Sequence, residues 1–150
     1  MINRKRLIAL TQRLIQIDSQ NPPGNELEIV KFVREYLNSF GLKSKIYEFA
    51  GNRPNIICLL RSDSLHAKTI LISPHLDTVP AGRGWKYPPL KGIIKGGRIY
   101  GRGATDCKGN LAVAIEVLNS LLEDKSKIRN SILFAATADE ETGSGLGLIP

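Results

Sequence analysis

The 150-residue sequence has few of the features that identify membrane, secreted or disulfide-bonded proteins. Its two cysteines, Cys58 and Cys107, are too few for a disulfide framework and indicate a reducing environment. A single bridge between them remains an alternative. No run approaches the roughly 18 apolar residues of a membrane span, and no continuous apolar segment follows the basic N-terminus. We therefore expect a cytoplasmic protein with neither a membrane span nor a signal peptide.

Aromatic residues make up only 6% of the chain, and positive charge is not concentrated in any one region. The formal net charge is +7, yet the longest basic block is Arg4-Lys5-Arg6. Nucleic-acid-binding proteins usually carry basic patches with aromatic residues among them. We expect no nucleic-acid partner. An anionic small substrate, or an acidic partner segment that this chain lacks, would account for the charge equally well.

The spacing of the apolar residues predicts an α/β domain. The last predicted strand is almost continuously apolar, as in strands that are buried on both faces of a sheet. Gly41 is the predicted stop of the second helix, and the glycine-rich segment 143–149 is expected to open a further helix. The predicted elements are helices 4–18, 26–40 and 108–122, strands 44–49, 55–60, 69–73 and 131–138, and a loop 81–103 that contains a small hairpin.

Acidic residues and one of the two histidines stand where apolar runs end. His75 and Asp77 follow one predicted strand, Glu140 and Glu141 follow another, and Asp106 precedes the long helix. Ligands of α/β proteins bind at the carboxyl ends of the strands, so these side chains are expected to converge. Clustered carboxylates repel one another unless a cation neutralises them. Imidazole and carboxylate ligands together suit zinc, with manganese or cobalt as alternatives.

The same residues also have simpler interpretations. Asp106 is expected to cap the helix that begins near Lys108, in addition to any metal binding. The two glutamates would otherwise form an exposed acidic turn, and Cys107 is expected to be a structural thiol because no second histidine motif is placed to activate it. His66 is expected to be a solvated loop residue. The glycine-rich stretch before Lys108 lacks the pattern of a phosphate-binding loop.

Several segments, in this order and spacing, resemble the dinuclear zinc amidohydrolase and exopeptidase family. That family includes acetylornithine deacetylase, succinyl-diaminopimelate desuccinylase, aminoacylase and the bacterial glutamate carboxypeptidase. The segments are NPPGNE (21–26), SPHLDTVPAG (73–82), GRIYGRGATDCKG (97–109) and ADEETGS (138–144). The resemblance implies a three-layer zinc-exopeptidase-like α/β sheet with flanking helices, of which residues 1–150 are the incomplete N-terminal part. The rest of the catalytic domain and a second lid or dimerisation domain lie outside this chain, and the complete protein is expected to be a homodimer.

The resemblance also implies a role for each residue of the site. His75 is a ligand of the first metal ion, Asp106 bridges both ions, and Glu141 is a ligand of the second. Asp77 orients His75, and Glu140 is the general base. The complete site would hold two Zn²⁺ ions, with Co²⁺ or Mn²⁺ as alternatives, and would hydrolyse the amide bond of an N-acyl amino acid or short peptide.

The resemblance places the remaining metal ligands of the family beyond Glu141, outside this chain. Residues 1–150 alone are therefore expected to be inactive. The alternative is a non-catalytic binding or regulatory fragment of the same fold.

Overall fold

The computed structural model describes residues 1–124 and 128–147. Along the described residues, two helices, five strands, a third helix and a sixth strand follow one another, and a short 3₁₀ helix, Glu140–Thr142, follows the last strand. We refer to residues 139–142 as the acidic turn. The other elements are α1 (Arg4–Gln16), α2 (Leu27–Ser39), β1 (Ser44–Glu48), β2 (Pro54–Leu60), β3 (Thr69–Ile72), β4 (Ile93–Lys95), β5 (Arg98–Tyr100), α3 (Lys108–Glu123) and β6 (Ser131–Ala136).

The main sheet has the strand order β1-β2-β6-β3, and β4 pairs with β5 in a separate hairpin. β2 is antiparallel to both of its neighbours, whereas β3 runs parallel to β6 with Ile72 opposite Phe134. An isolated parallel bridge between His75 and Thr137 continues this pairing beyond the strands. Because β3 and β6 run in parallel, the segments that follow them emerge at the same edge of the sheet.

The helix ends follow from local sequence. The Asn3 side chain accepts a hydrogen bond from the N–H of Arg6 and caps α1. At the end of α2, Gly41 adopts φ +85°. The N–H of Gly41 donates to the Asn38 carbonyl, and the N–H of Leu42 donates to the Leu37 carbonyl. This is the Schellman arrangement that terminates many helices, so the predicted stop at Gly41 is confirmed.

One apolar core joins the helices to the sheet. α1 contacts α3, and α2 contacts β1 and β2. Fully burying one large aliphatic side chain stabilises a fold by about 1.5–3 kcal/mol. The many side chains of this shared core therefore keep the helices packed against the sheet. Its fully buried members include Leu14, Ile29, Val33, Leu37, Ile56, Leu76, Leu111, Ile115, Leu118 and Phe134.

The structure shortens some of the predicted elements. α1 ends at Gln16 because Ile17 is extended and its N–H donates to the Leu14 carbonyl. β6 ends at Ala136. The predicted helix over 143–149 is wrong for residues 143–147, which form turns and a bend, and its remainder lies outside the described residues.

The two cysteines are free and buried, so the alternative of a single disulfide is excluded. In residues 1–124 and 128–147, no helix is long and apolar enough to span a membrane.

Candidate metal centre

Two overlapping groups of potential ligands meet at the edge where β3 and β6 end. The donor atoms of His75, Glu140 and Glu141 all lie within 4.8 Å of one another, and those of His75, Asp106 and Cys107 form a second such group. His75 belongs to both groups. Its Nε2 atom lies 2.9 Å from Asp106 Oδ1 and 3.8 Å from Glu140 Oε2. The convergence predicted from the strand ends is therefore present in the structure.

His75 is held in place by the backbone around it. The N–H of Leu76 donates to the Thr137 carbonyl, and the N–H of Thr137 donates to the Pro74 carbonyl. The Nδ1 atom of His75 lies 3.0 Å from the main-chain carbonyl oxygen of Asp77 and 3.5 Å from its carboxylate. Either acceptor places the ring proton on Nδ1 of the neutral imidazole and leaves the Nε2 lone pair free for a metal ion. The nearer acceptor is the carbonyl, whereas the resemblance implies the carboxylate.

The buried carboxylate of Asp77 connects His75 to the acidic turn. It accepts the N–H of Glu140 at 3.2 Å, the N–H of Glu141 at 3.1 Å and the Asn21 side-chain amide at 2.8 Å. Burial by itself would raise the pKa of Asp77, but the hydrogen bonds from His75, Asn21 and the two backbone N–H groups lower it. Asp77 therefore remains ionised, and its hydrogen bonds hold the backbone N–H groups of Glu140 and Glu141 in place.

The charge on His75 reflects its acidic surroundings. Burial favours the neutral imidazole, but hydrogen bonds with Asp77, Cys107 and Asp106 outweigh it and raise the pKa of His75 to about 11. Without a metal ion, the imidazolium thus neutralises part of the surrounding negative charge. A metal ion would take over that role and displace the proton, because metals bind neutral imidazole. One imidazole and several carboxylates form a donor set that fits a divalent ion such as zinc.

The predicted capping role of Asp106 is wrong. Cys107 is the residue that precedes α3, and no side chain caps the helix there. Asp106 lies one position too early and directs its carboxylate toward His75, with 77% of the side chain exposed. Cys107 is buried, yet its sulfur is close enough to join the His75 group. The spacing of residues along the sequence does not predict the contact between Cys107 and the His75 group, because the conformation of the turn before α3 determines where the sulfur lies.

A buried lysine anchors the start of α3 beside Asp106. Lys108 is fully buried, and its Nζ atom donates to the Ile17 carbonyl at 2.6 Å. Burial lowers the pKa of Lys108 to about 8, although Asp18 opposes this change. Lys108 thereby ties the turn that carries Asp106 to the end of α1.

A second polar network contacts the acidic turn through Asp139. Arg53 pairs with the buried Glu26, and its Nη2 atom also lies 2.9 Å from Asp139 Oδ1. The hydrogen bond from Thr142 is the main reason why the pKa of Asp139 is lowered, with Asn21 and Arg53 contributing. No role for Arg53 or Asp139 was predicted from sequence. Asn21 and Glu26, which contact Asp139 and Arg53, belong to the NPPGNE segment, so that motif was the sequence signal from which the network could have been found.

The fold is an α/β domain, and the polar side chains at the carboxyl ends of its strands form a donor set that fits a metal ion. Residues 71–149 match the sequence profile described as "Peptidase family M20/M25/M40". Because the match covers just over half of the chain, the chain belongs to this family. The predicted resemblance and fold class are confirmed.

Similar proteins cover nearly the whole chain. A succinyl-diaminopimelate desuccinylase from Blochmanniella floridana is 37% identical over 144 residues, which are 93% of this chain and 36% of that protein. The dipeptidase Dug1p from Saccharomyces cerevisiae superposes with a TM-score of 0.82 at 25% identity, covering 94% of this chain and 33% of the other. The metallo-carboxypeptidase Sso-CP2 from Sulfolobus solfataricus gives a TM-score of 0.80 at 26% identity, with coverage of 92% and 32%. The chain spans about a third of the length of the curated relatives that it matches.

Proposed function

We propose that this chain is the N-terminal part of the catalytic domain of a metal-dependent hydrolase that cleaves the amide bond of an N-acyl amino acid or short peptide. The observation that carries this proposal is the pair of ligand groups that share His75. The similar proteins are named as a desuccinylase, a dipeptidase and a metallo-carboxypeptidase, which supports this substrate class. The rest of the catalytic domain and a second, dimerising domain would complete the protein.

His75, Asp106 and Glu141 would hold the metal ions. We propose two Zn²⁺ ions, with Co²⁺ or Mn²⁺ as alternatives, because imidazole and carboxylate oxygen are ligands that these metals share. Asp106 would bridge the ions, as the family resemblance implies, and its exposed carboxylate lies 2.9 Å from His75 Nε2. Metal ions in such sites lower the pKa of water and polarise the scissile carbonyl.

Glu140 would transfer protons. Its backbone N–H is held by Asp77, while its carboxylate is half exposed and lies beside His75. One oxygen of the Glu141 carboxylate accepts the N–H of Val79 at 3.2 Å. Adjacent residues that share one buried anchor can thus present their carboxylates to different partners. Glu140 would take a proton from the attacking water and deliver it to the leaving amine.

The test is metal-dependent turnover by the full-length protein. N-succinyl and N-acetyl amino acids and dipeptides should be hydrolysed after loading with zinc or cobalt, and chelation should abolish the activity reversibly. Turnover that survives complete chelation would overturn the proposal. Full metal occupancy without turnover of any of these amides would favour the alternative, a non-catalytic binding protein of the same fold.

A further inference from the structure

We propose that Arg53 is a positioning residue, which holds Asp139 from behind and so sets the place of Glu140 and Glu141 relative to His75. This inference rests on the proposed function. Arg53 lies 86 positions before Asp139, at the turn that enters β2, yet its guanidinium reaches the acidic turn. A guanidinium has no lone pair to offer a metal ion, so Arg53 is not itself a ligand. Its effect on the reaction would therefore be indirect.

The guanidinium of Arg53 is fixed by a paired contact with Glu26. Arg53 Nε lies 2.6 Å from Glu26 Oε2, and Nη2 lies 2.9 Å from Glu26 Oε1. Glu26 is fully buried and the Arg53 side chain is 12% exposed. Two parallel charge-assisted hydrogen bonds define the plane of the guanidinium as well as its distance. The same Nη2 atom then donates to Asp139 Oδ1 at 2.9 Å.

Asp139 needs such support because of its backbone. Its φ of 67° lies in the left-handed region, which residues other than glycine rarely adopt without help from their surroundings. The N–H of Asp139 donates to Glu26 at 3.4 Å, and its carboxylate accepts from Arg53 and from Thr142. This left-handed residue directs the chain into the turn whose next two N–H groups bind Asp77. Relaxation of Asp139 would therefore shift both glutamates.

Gly24 provides the space that the guanidinium occupies. A Cβ atom at Gly24 would lie 2.2 Å from Arg53 Cζ. Residue 24 also has φ +80°. The glycine of the NPPGNE segment is thus required twice, by its own backbone and by the close approach of Arg53.

The protein contains a matched control for this ion pair. Arg6 contacts the buried Glu116 with the same two distances, 2.6 Å from Nε and 2.9 Å from Nη2, but it joins α1 to α3. Arg53→Lys and Arg6→Lys each keep a positive charge and remove a paired contact, since an ammonium cannot reproduce the guanidinium fork. Both variants are expected to lower the Tm. Only Arg53 lies beside the acidic turn.

The experiment compares these variants in the full-length protein by zinc affinity, the visible spectrum of the cobalt-loaded form, kcat and KM. Arg53→Lys should change the cobalt spectrum and weaken zinc binding or lower kcat by about 10–100-fold, the usual effect of altering a residue that supports metal ligands. KM should change little. Arg6→Lys should leave the spectrum, the zinc affinity and kcat at wild-type values. Equal effects of the two variants on all these quantities would overturn the positioning role.

A second pair of variants decides the question if Arg53→Lys does not fold. Gly24→Ala and Gly41→Ala both place a Cβ at a left-handed residue, with φ of +80° and +85°, but a Cβ at Gly41 meets nothing within 4 Å. Only Gly24→Ala should displace the guanidinium and alter the cobalt spectrum. Wild-type spectra for Gly24→Ala would overturn the inference. The proposed function would survive that result as long as His75→Ala still loses metal, so the two failures are distinguishable.

Discussion

The imidazole Nε2 of His75 and the carboxylate Oδ1 of Asp106 lie 2.9 Å apart, although 31 positions separate these residues in the chain. His75 follows β3 and Asp106 precedes α3, so the contact joins two segments that are distant from each other in the sequence. His75 also lies beside Glu140 and Glu141. The imidazole is thus the point at which three segments of the candidate site come together.

Replacing His75 with alanine should remove metal. Elemental analysis of the full-length protein should find close to two zinc ions per chain in the wild type, and at least one fewer in His75→Ala. The reason is that His75 belongs to both ligand groups. The other histidine, His66, is exposed in a loop, so His66→Ala is the matched control and should keep all its zinc. Unchanged stoichiometry in His75→Ala would remove this residue from the site.

Glu140→Gln should separate catalysis from metal binding. Glutamine keeps the backbone N–H bond to Asp77 but cannot accept a proton, so kcat should fall by roughly 10²–10⁴-fold while the metal content stays unchanged. Glu141→Gln should instead weaken metal binding, because that side chain is the proposed ligand. Zinc content and kcat, measured for both variants, test this division. The roles are reversed if Glu140→Gln loses metal and Glu141→Gln retains it.

Asp77→Asn should weaken metal binding by about 10–100-fold without removing a proposed ligand. Both carboxylate oxygens of Asp77 accept hydrogen bonds, whereas an asparagine would turn an NH₂ group toward donors at the acidic turn or at Asn21. Titration of the metal-free protein with zinc measures the change. The exposed Asp63→Asn should bind zinc as the wild type does. Wild-type affinity in Asp77→Asn would show that this network does not position the site.

The Arg6–Glu116 pair should make stability depend on acid pH. Burial opposes ionisation of Glu116, but hydrogen bonds from Arg6, Asn3 and Ser120 lower its pKa below the ordinary value of 4.5. A carboxylate with a lowered folded-state pKa stabilises the fold above its unfolded pKa and loses that contribution as pH falls through the folded pKa.

Glu116→Gln should therefore reduce the free energy of unfolding by about 1–3 kcal/mol at pH 7, because a neutral amide replaces the buried, charged acceptor of the hydrogen bonds from Arg6. Urea titrations at pH 7 and at pH 3 should show the difference from the wild type shrinking at the lower pH. Glu35→Gln, on the exposed face of α2, should match the wild type at both pH values. A difference that is constant with pH would contradict the ionic origin of the effect.

Residues 1–150 alone are expected not to turn over amide substrates. Among the described residues, His75, Asp106 and Glu141 are the proposed ligands, and with Asp106 shared each ion would have only two protein ligands. Catalytic zinc sites usually have about three, plus water. Purified residues 1–150 should be assayed beside the full-length protein after loading with zinc or cobalt. Comparable metal-dependent turnover, abolished by Glu140→Gln, would contradict this expectation.

The sequence by itself located the three helices and the main strands to within a few residues, and it determined the order of the ligand-bearing segments. Apolar periodicity and glycine stops are local signals, so the ends of α2 and α3 and the placement of His75 after β3 could be read directly. The family motifs added roles to these positions. The predicted capping role of Asp106 was wrong, because the last residues before a helix cannot be assigned from spacing alone.

Only the tertiary structure decided which side chains support the site. Arg53 and Asp139 are 86 positions apart, and Asn21 and Asp77 are 56 apart. Their contacts require β2 and β6 to be neighbours in the sheet and residues 21–26 to lie against the edge where the strands end. Hydrogen bonds between distant residues depend on the packing of whole elements, which leaves no periodic pattern in the sequence. The nearest acceptor of His75 Nδ1, a main-chain carbonyl, was hidden for the same reason, since every residue carries that group.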